Sequence, residues 1–269
     1  MDLYLEGKIA LVTGSSKGIG AGIARGLSRE GAIVIVHGRD VNQARGVAEQ
    51  IEAAGGTAHV VTGDLTDAAQ VEAMVSAAQA AAGDIDILVN NAGGSSGASD
   101  WSTTEAAAWS ATYDANVLAA VRVTSAVLPA MRRARWGRII NISSLAGLMP
   151  PAANPDYSAA KAAMLAMSAS MAKAVAADGV TVNTVSPGTI HSEKLDLKFR
   201  EVAQTRGIAS DAPWDEDEAA VLPLFATVPV GRVGTVEEIA DAVCFLASPR
   251  AAYITGANLR LDGGMLPTI

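Results

Sequence analysis

Residues 9–20 read IALVTGSSKGIG, a short apolar run followed by a turn that carries three glycines. Ile9 to Val12 suits a strand covered on both faces, and the alanine-rich text beyond Ile19 suits a helix. Strand, glycine turn and helix in that order put free backbone amides and the positive end of a helix dipole at one point, so an anion is expected there. Gly14 fits the tight turn, Gly18 the place where backbone approaches a pyrophosphate, and Gly20 the close packing of helix on sheet.

Working outward, short β-branched runs recur at Ile33 to Val36, His59 to Val61, Ile87 to Val89, Ile139 to Ile142 and Val180 to Val185, each separated by helix-forming text. Parallel strands need such long crossovers, and strands this apolar must be covered on both faces. The expected fold is α/β: one Rossmann-type domain with a doubly wound parallel sheet of about seven strands and helices on both faces. No repeat or composition shift divides the 269 residues. Only residues 187–232 break the rhythm, with Pro213, Pro223, Pro229, an acidic run from Asp215 to Glu218 and two short helical patterns. An insertion at about 189–228 is therefore expected to close over a substrate, with Leu195, Phe199, Trp214, Leu222 and Phe225 as its apolar surface.

A formal net charge of −8 opposes attraction to phosphate backbones or anionic lipid, so neither nucleic acid nor membrane is an expected partner. The N-terminal text has no signal-peptide pattern, and a cytoplasmic location is expected. Cys244, the single cysteine, excludes an intrachain disulfide and a thiolate metal cage, and reads as core filling; no metal is expected.

In the doubly wound fold, ligands bind beyond the carboxyl ends of the strands. The second strand ends in VHGRD, where an NAD site would place an acidic residue on the ribose; here Gly38 and Arg39 follow His37. Arg39, helped by Lys17, can grip a 2′-phosphate, so NADP(H) is favoured and NAD(H) is the lesser alternative, with Asp40 as the residue that speaks for it. His37 reads as a bystander beside the adenosine. GDL (Gly63 to Leu65) and NNAG (Asn90 to Gly93) end the third and fourth strands. Asp64 suits the adenine amino group, and Asn90 suits a brace to backbone beneath the cofactor.

TGSSKGIG, NNAG, Asn116, the serine of ISS, YSAAK and SPG stand in an order and spacing that resemble the short-chain dehydrogenase/reductase family from Gly7 to Gly264, near the branch of 3-oxoacyl-acyl-carrier-protein reductases and carbonyl reductases. The resemblance implies a catalytic set of Asn116, Ser144, Tyr157 and Lys161. It extends the cofactor contacts to Ser16, Ile19, Leu65, Asn91, Ala92, Gly93, Tyr157, Lys161, Pro187, Gly188, Ile190 and Ser192, and it implies a homotetramer. Asn116 would help anchor a proton-relaying water, and Ser192 stands where family members commonly have threonine.

The chemistry can be argued beside the resemblance. A tyrosine is a poor base at neutral pH, and Lys161, four residues along one helix face from Tyr157, can depress its pKa. Ser144 would hold the carbonyl oxygen, with Ser143 pointing the other way. His191 reads as a surface histidine. These residues imply hydride transfer between NADP(H) and a small carbonyl or alcohol, with tyrosine as acid or base. A carrier-protein reductase is the alternative: Arg132, Arg133 and Arg135 could receive an acidic carrier, although Asp178 falls where the resemblance implies a basic residue. A catalytically silent nucleotide-binding sensor would have no need of all four catalytic residues, and a methyltransferase would not explain Tyr157 and Lys161.

Overall fold

The computed structural model describes residues 2–95, 97, 100–209 and 211–267. Seven strands, β1 (Ile9–Val12), β2 (Ile33–Gly38), β3 (Thr57–Thr62), β4 (Ile87–Asn90), β5 (Gly137–Ile142), β6 (Val180–Pro187) and β7 (Asn258–Leu261), form one sheet in the order β3-β2-β1-β4-β5-β6-β7. Every pairing is parallel, as the long crossovers demand. Val12 lies level with both Val36 and Val89, and Ile142 with Val185, so the carboxyl ends of β1, β2, β4, β5 and β6 form one edge. The chain reverses its winding between β1 and β4, where a crevice opens in this fold.

Nine helices among the described residues complete the layers: α1 (Gly18–Arg29), α2 (Val41–Ala53), α3 (Ala68–Ala82), α4 (Ala106–Tyr113), α5 (Ala119–Ala134), α6 (Pro155–Val175), α7 (Glu193–Gln204), α8 (Trp214–Phe225) and α9 (Val236–Ala247). Helices α1, α2 and α9 bury their apolar faces against one side of the sheet, and α3, α5 and α6 against the other. Gly26 brings α1 close to α9, because a Cβ there would stand 2.8 Å from that of Ala240. Cys244 is buried in this layer, and burial pushes its thiol up to about 12, consistent with core filling. No helix among the described residues is long and apolar enough to cross a membrane.

The segment after β6 folds on itself. Helices α7 and α8 enclose a small core of Phe199, Ala203, Val221 and Leu222, with Val233 beside them. Phe199 stacks on Trp214 at 5.4 Å and meets Phe225 edge-on at 5.7 Å. Buried Asp217 pairs with Arg200 at 3.2 Å, joining the two helices. Phe199 and Leu222, expected at a substrate surface, are thus committed to holding the helices together; Phe225 is half-exposed and Leu197 and Leu224 more so. The roots of the segment lie side by side. Ile190 and Gly234 form a parallel bridge, with His191 N donating to Gly234 O at 2.8 Å and Gly234 N to Thr189 O at 2.9 Å. His191 is not a free surface residue either: it stacks on Trp214 at 4.3 Å and contacts Asp196 at 2.5 Å.

Candidate active site

The glycine turn after β1 is fixed from three directions. Gly14 adopts φ +63°, and a Cβ there would meet Ala92 Cα at 2.9 Å. The amide of Asn91 donates to the carbonyls of Thr13 and Gly14, both at 3.0 Å, while Thr13 Oγ1 accepts from the backbone N–H groups of Asn91 and Ala92. Bracing of the turn therefore falls to Asn91. Asn90, expected to bind backbone, instead donates to Thr124 Oγ1 on α5 and Asn141 Oδ1 on β5. Ser15 and His37 supply the third tie, from β2.

Gly14, Ser16, Lys17, Arg39, Asp64, Leu65, Asn91, Ala92 and Gly93 all line one cavity of about 300 Å³, together with His37, Gly38 and Ala115. Beside Gly18, at φ +57°, the space is open, as backbone approached by an anion requires. Gly18, Ile19 and Gly20 open α1, and a Cβ on Gly20 would collide with Asn91 and Gly14. Lys17 and Arg39 are exposed on the rim. Asp40 is otherwise engaged: its carboxylate caps α2, accepting from Asn42 N at 2.9 Å and Gln43 N at 3.3 Å. Asp64 accepts from the backbone and hydroxyl of Thr66, which hold its carboxyl below the usual range. An anionic dinucleotide fits these donors, cations and open glycine.

Along the same edge, Ser144 follows β5 and Tyr157 opens α6. The Ser144 side chain lowers the Tyr157 phenol pKa, but burial, the larger influence, pushes it above its ordinary value, and the Ser144 hydroxyl itself accepts from Ala146 N at 3.1 Å. Lys161 is buried, donates to Ile142 O at 2.9 Å, and lies 5.6 Å from the Tyr157 ring centroid. Burial lowers its ammonium to about 8. The expected depression of the tyrosine pKa is absent in this geometry, because desolvation of the phenol outweighs the lowering influence of Ser144.

Asn116 sits in a π turn, Asp114–Leu118, between α4 and α5. Its amide donates to Gly94 O at 2.9 Å and Thr112 O at 2.8 Å, and its oxygen accepts from Gly94 N at 3.1 Å. That side chain holds the loop after β4 against the helix. Pro187 ends β6, and Gly188 N donates to Leu261 O at 2.8 Å. Ile190 faces a second cavity of about 220 Å³ behind this turn rather than the dinucleotide cleft. The Ser192 hydroxyl caps α7, accepting from Leu195 N at 3.3 Å.

The short chain dehydrogenase family model matches residues 8–202. The chain belongs to this family. The 3-oxoacyl-[acyl-carrier-protein] reductase of Vibrio cholerae is 41% identical over 263 residues, which is 98% of this chain and 99% of the relative. Nodulation protein G of Azospirillum brasilense is 35% identical over 96% of this chain and 98% of its own. Among solved structures, the L-sorbose reductase of Gluconobacter frateurii, complexed with NADPH and L-sorbose, superposes with a TM-score of 0.92 at 33% identity, covering 100% of both chains. As a short-chain dehydrogenase, the chain is an oxidoreductase of carbonyl and alcohol groups. Sequence reasoning missed Thr13, Ser15 and His37 as supports of this site; only His37, a polar residue in the otherwise apolar text of β2, carried a signal, while Thr13 and Ser15 read as ordinary turn residues after β1.

Proposed function

We propose that this chain interconverts a small ketone or aldehyde and its alcohol, with NADP(H) as hydride carrier. Bound NADPH supplies the hydride. The observation that carries the reading is the grouping of Ser144, after β5, with Tyr157 and Lys161 one turn apart on α6, on the sheet edge that also holds the dinucleotide cleft. Ser144 holds the carbonyl oxygen, and Tyr157, kept neutral by burial, donates the proton that turns the developing alkoxide into an alcohol. Lys161, cationic below about pH 8, stabilises the phenolate left behind. Arg39 and Lys17 favour the 2′-phosphate, and Asp40, committed to α2, does not compete for a ribose. The NADPH bound by the sorbose reductase agrees with this preference.

A second reading, reduction of a 3-oxoacyl group on a carrier protein, draws on the Vibrio cholerae relative. Against it, Arg132 is paired with Asp178 at 2.9 Å, Arg133 lies 3.9 Å from Asp84, and Arg135 donates to Ala177 O at 2.8 Å, so this patch offers an acidic carrier partly neutralised cations. A homotetramer is part of the proposal; β7 is an open sheet edge that exposes Leu259, with Tyr253 exposed shortly before it in the chain, and light scattering on the purified chain tests it.

The deciding experiment follows NADPH consumption with a panel of ketones, sugars such as L-sorbose and a 3-oxoacyl thioester, free and carrier-bound. Small ketones should be reduced, and Tyr157→Phe should lower turnover by about 10²- to 10⁴-fold with NADPH affinity nearly intact. Turnover of the carrier-bound substrate alone would favour the second reading. Cofactor binding without turnover of anything would point to a sensor.

A further inference from the structure

The cofactor turn is held by a residue that the hydride-transfer chemistry does not use. We propose that His37 is a positioning residue for the dinucleotide-binding turn, and that its neutral ring is required for the cofactor to bind with full affinity. The proposal rests on the reading of this cleft as an NADP(H) site.

His37 lies near the end of β2, and its ring spans two neighbouring segments. Nδ1 accepts from Gly14 N at 3.0 Å, and Nε2 donates to Gly63 O at 3.1 Å, so the ring ties the turn after β1 to the loop after β3. Only the neutral tautomer with its proton on Nε2 makes both bonds. The backbone repeats the tie: His37 N donates to Ser15 Oγ at 2.9 Å, and Ser15 N to His37 O at 2.8 Å. The residue is 2% exposed and forms part of the cavity wall beside Gly14 and Lys17. Gly14 stands at φ +63°, so its N–H direction, and with it the start of the anion cradle, depends on what receives that hydrogen.

Protonation turns Nδ1 into a donor facing another donor. The Gly14 bond is then lost, and the ring or the turn must move. The charged groups that share the wall with the ring are Lys17 before α1, Arg39 after β2 and Asp64 after β3. Burial, the largest influence, and Arg39 oppose protonation, while the Gly63 carbonyl and Asp64 favour it; the balance holds His37 neutral below its ordinary range. The neutral brace therefore persists through physiological pH and fails on the acid side.

The test measures dissociation constants for NADPH and NADH by cofactor fluorescence, from about pH 8 to about pH 5, on the full chain and on His37→Gln and His37→Ala. A glutamine amide can accept from Gly14 and donate to Gly63 but does not titrate. Wild type should lose affinity for both cofactors by roughly threefold or more at the acid end. Beyond any acid loss from the cofactor's own 2′-phosphate, which titrates near pH 6, His37→Gln should have a level profile, with NADH giving that profile directly. His37→Ala should weaken both cofactors roughly tenfold at every pH while leaving kcat at saturating cofactor within about twofold, because an unpartnered turn amide costs binding rather than chemistry. Persistence of the wild-type acid loss of NADH affinity in His37→Gln, wild-type affinity in His37→Ala, or NADPH binding that tightens as wild type is acidified would overturn the proposal. Wild type that binds neither cofactor at any pH would instead overturn the cofactor reading itself, and this proposal with it.

Discussion

Ser143 donates its hydroxyl to the main-chain carbonyl of Lys161 at 2.8 Å, and that bond separates the roles of two adjacent serines. Ser143 is buried and fastens β5 to α6, while Ser144 is left to meet Tyr157. Ser144→Ala should lower kcat by about 10²- to 10³-fold, the typical effect of losing an oxyanion donor. Ser143→Ala should leave kcat within a few fold but lower stability by about 0.5–1.5 kcal/mol, the typical net value of one buried hydrogen bond. Steady-state kinetics beside thermal melts decide between them, and the opposite pattern would reverse the assignment.

The rate of reduction should fall as pH rises through about 8, where Lys161 loses its proton. Tyr157 stays neutral over this range because burial raises its pKa, so the proton donor survives and the loss reports the lysine. The sign for stability is opposite. Lys161 is depressed from 10.5 in the folded chain, so the unfolded chain holds the proton more tightly, and this group's contribution to folding improves as pH rises from about 8. A kcat/KM profile for reduction that falls above pH 8 with no matching loss of melting temperature attributable to this group is the expected result. A profile level to about pH 10 would mean that the ammonium is not needed.

Arg39→Ala should raise the dissociation constant for NADPH by about tenfold or more, because a charge-assisted contact at an exposed rim is lost, with NADH changed by less than about twofold. Adding an acidic residue at position 38 is a poor companion change. A Cβ on Gly38 would stand 2.8 Å from Ser16 Cβ and 2.9 Å from its hydroxyl, disturbing the same turn that binds both cofactors. Parallel titrations with the two cofactors check the single substitution, and equal weakening of both would remove Arg39 from phosphate recognition.

The sheet was legible because a doubly covered parallel strand must be apolar along its length, as Ile9 to Val12 and Ile33 to Val36 are. β7 was harder to bound, since Asn258–Leu261 lies at an open edge, half-exposed, and carries Asn258 and Arg260 in a four-residue strand. Motif spacing brought most of the expected cofactor residues after β1 to β4 to one cavity, with Ile190 at another, but it could not say which side chains serve the turn rather than the ligand. Asn91, Asp40 and His37 find backbone partners that lie far apart or around a local cap, and such pairings depend on three-dimensional closure rather than on residue type. The lysine–tyrosine spacing was legible too, whereas the balance of burial against charge was not, because desolvation depends on everything packed around the ring.

The insertion gives the sharpest contrast between packing and recognition. Its bridge at Ile190 and Gly234 joins both ends at one root, and its own core of Phe199, Val221 and Leu222 ties α7 and α8 into one packed unit. If the insertion reads the substrate, the side chains free to do so are those this core leaves outside, such as Leu197 and Phe225, and not those inside it. Phe199→Ala should cost about 3–5 kcal/mol, the usual price of a buried phenylalanine, and lower turnover of all substrates together as the segment loosens. Leu197→Ala and Phe225→Ala should instead re-rank a panel of ketones of increasing bulk, with melting temperature within about 2 °C of wild type for Leu197→Ala, because removing exposed surface leaves no cavity. Phe225→Ala also forfeits its edge contact with Phe199, so a somewhat larger loss of stability is expected there. If both exposed variants kept the wild-type ranking, specificity would have to come from elsewhere, such as the loops after β4 and β5, and not from these faces of α7 and α8.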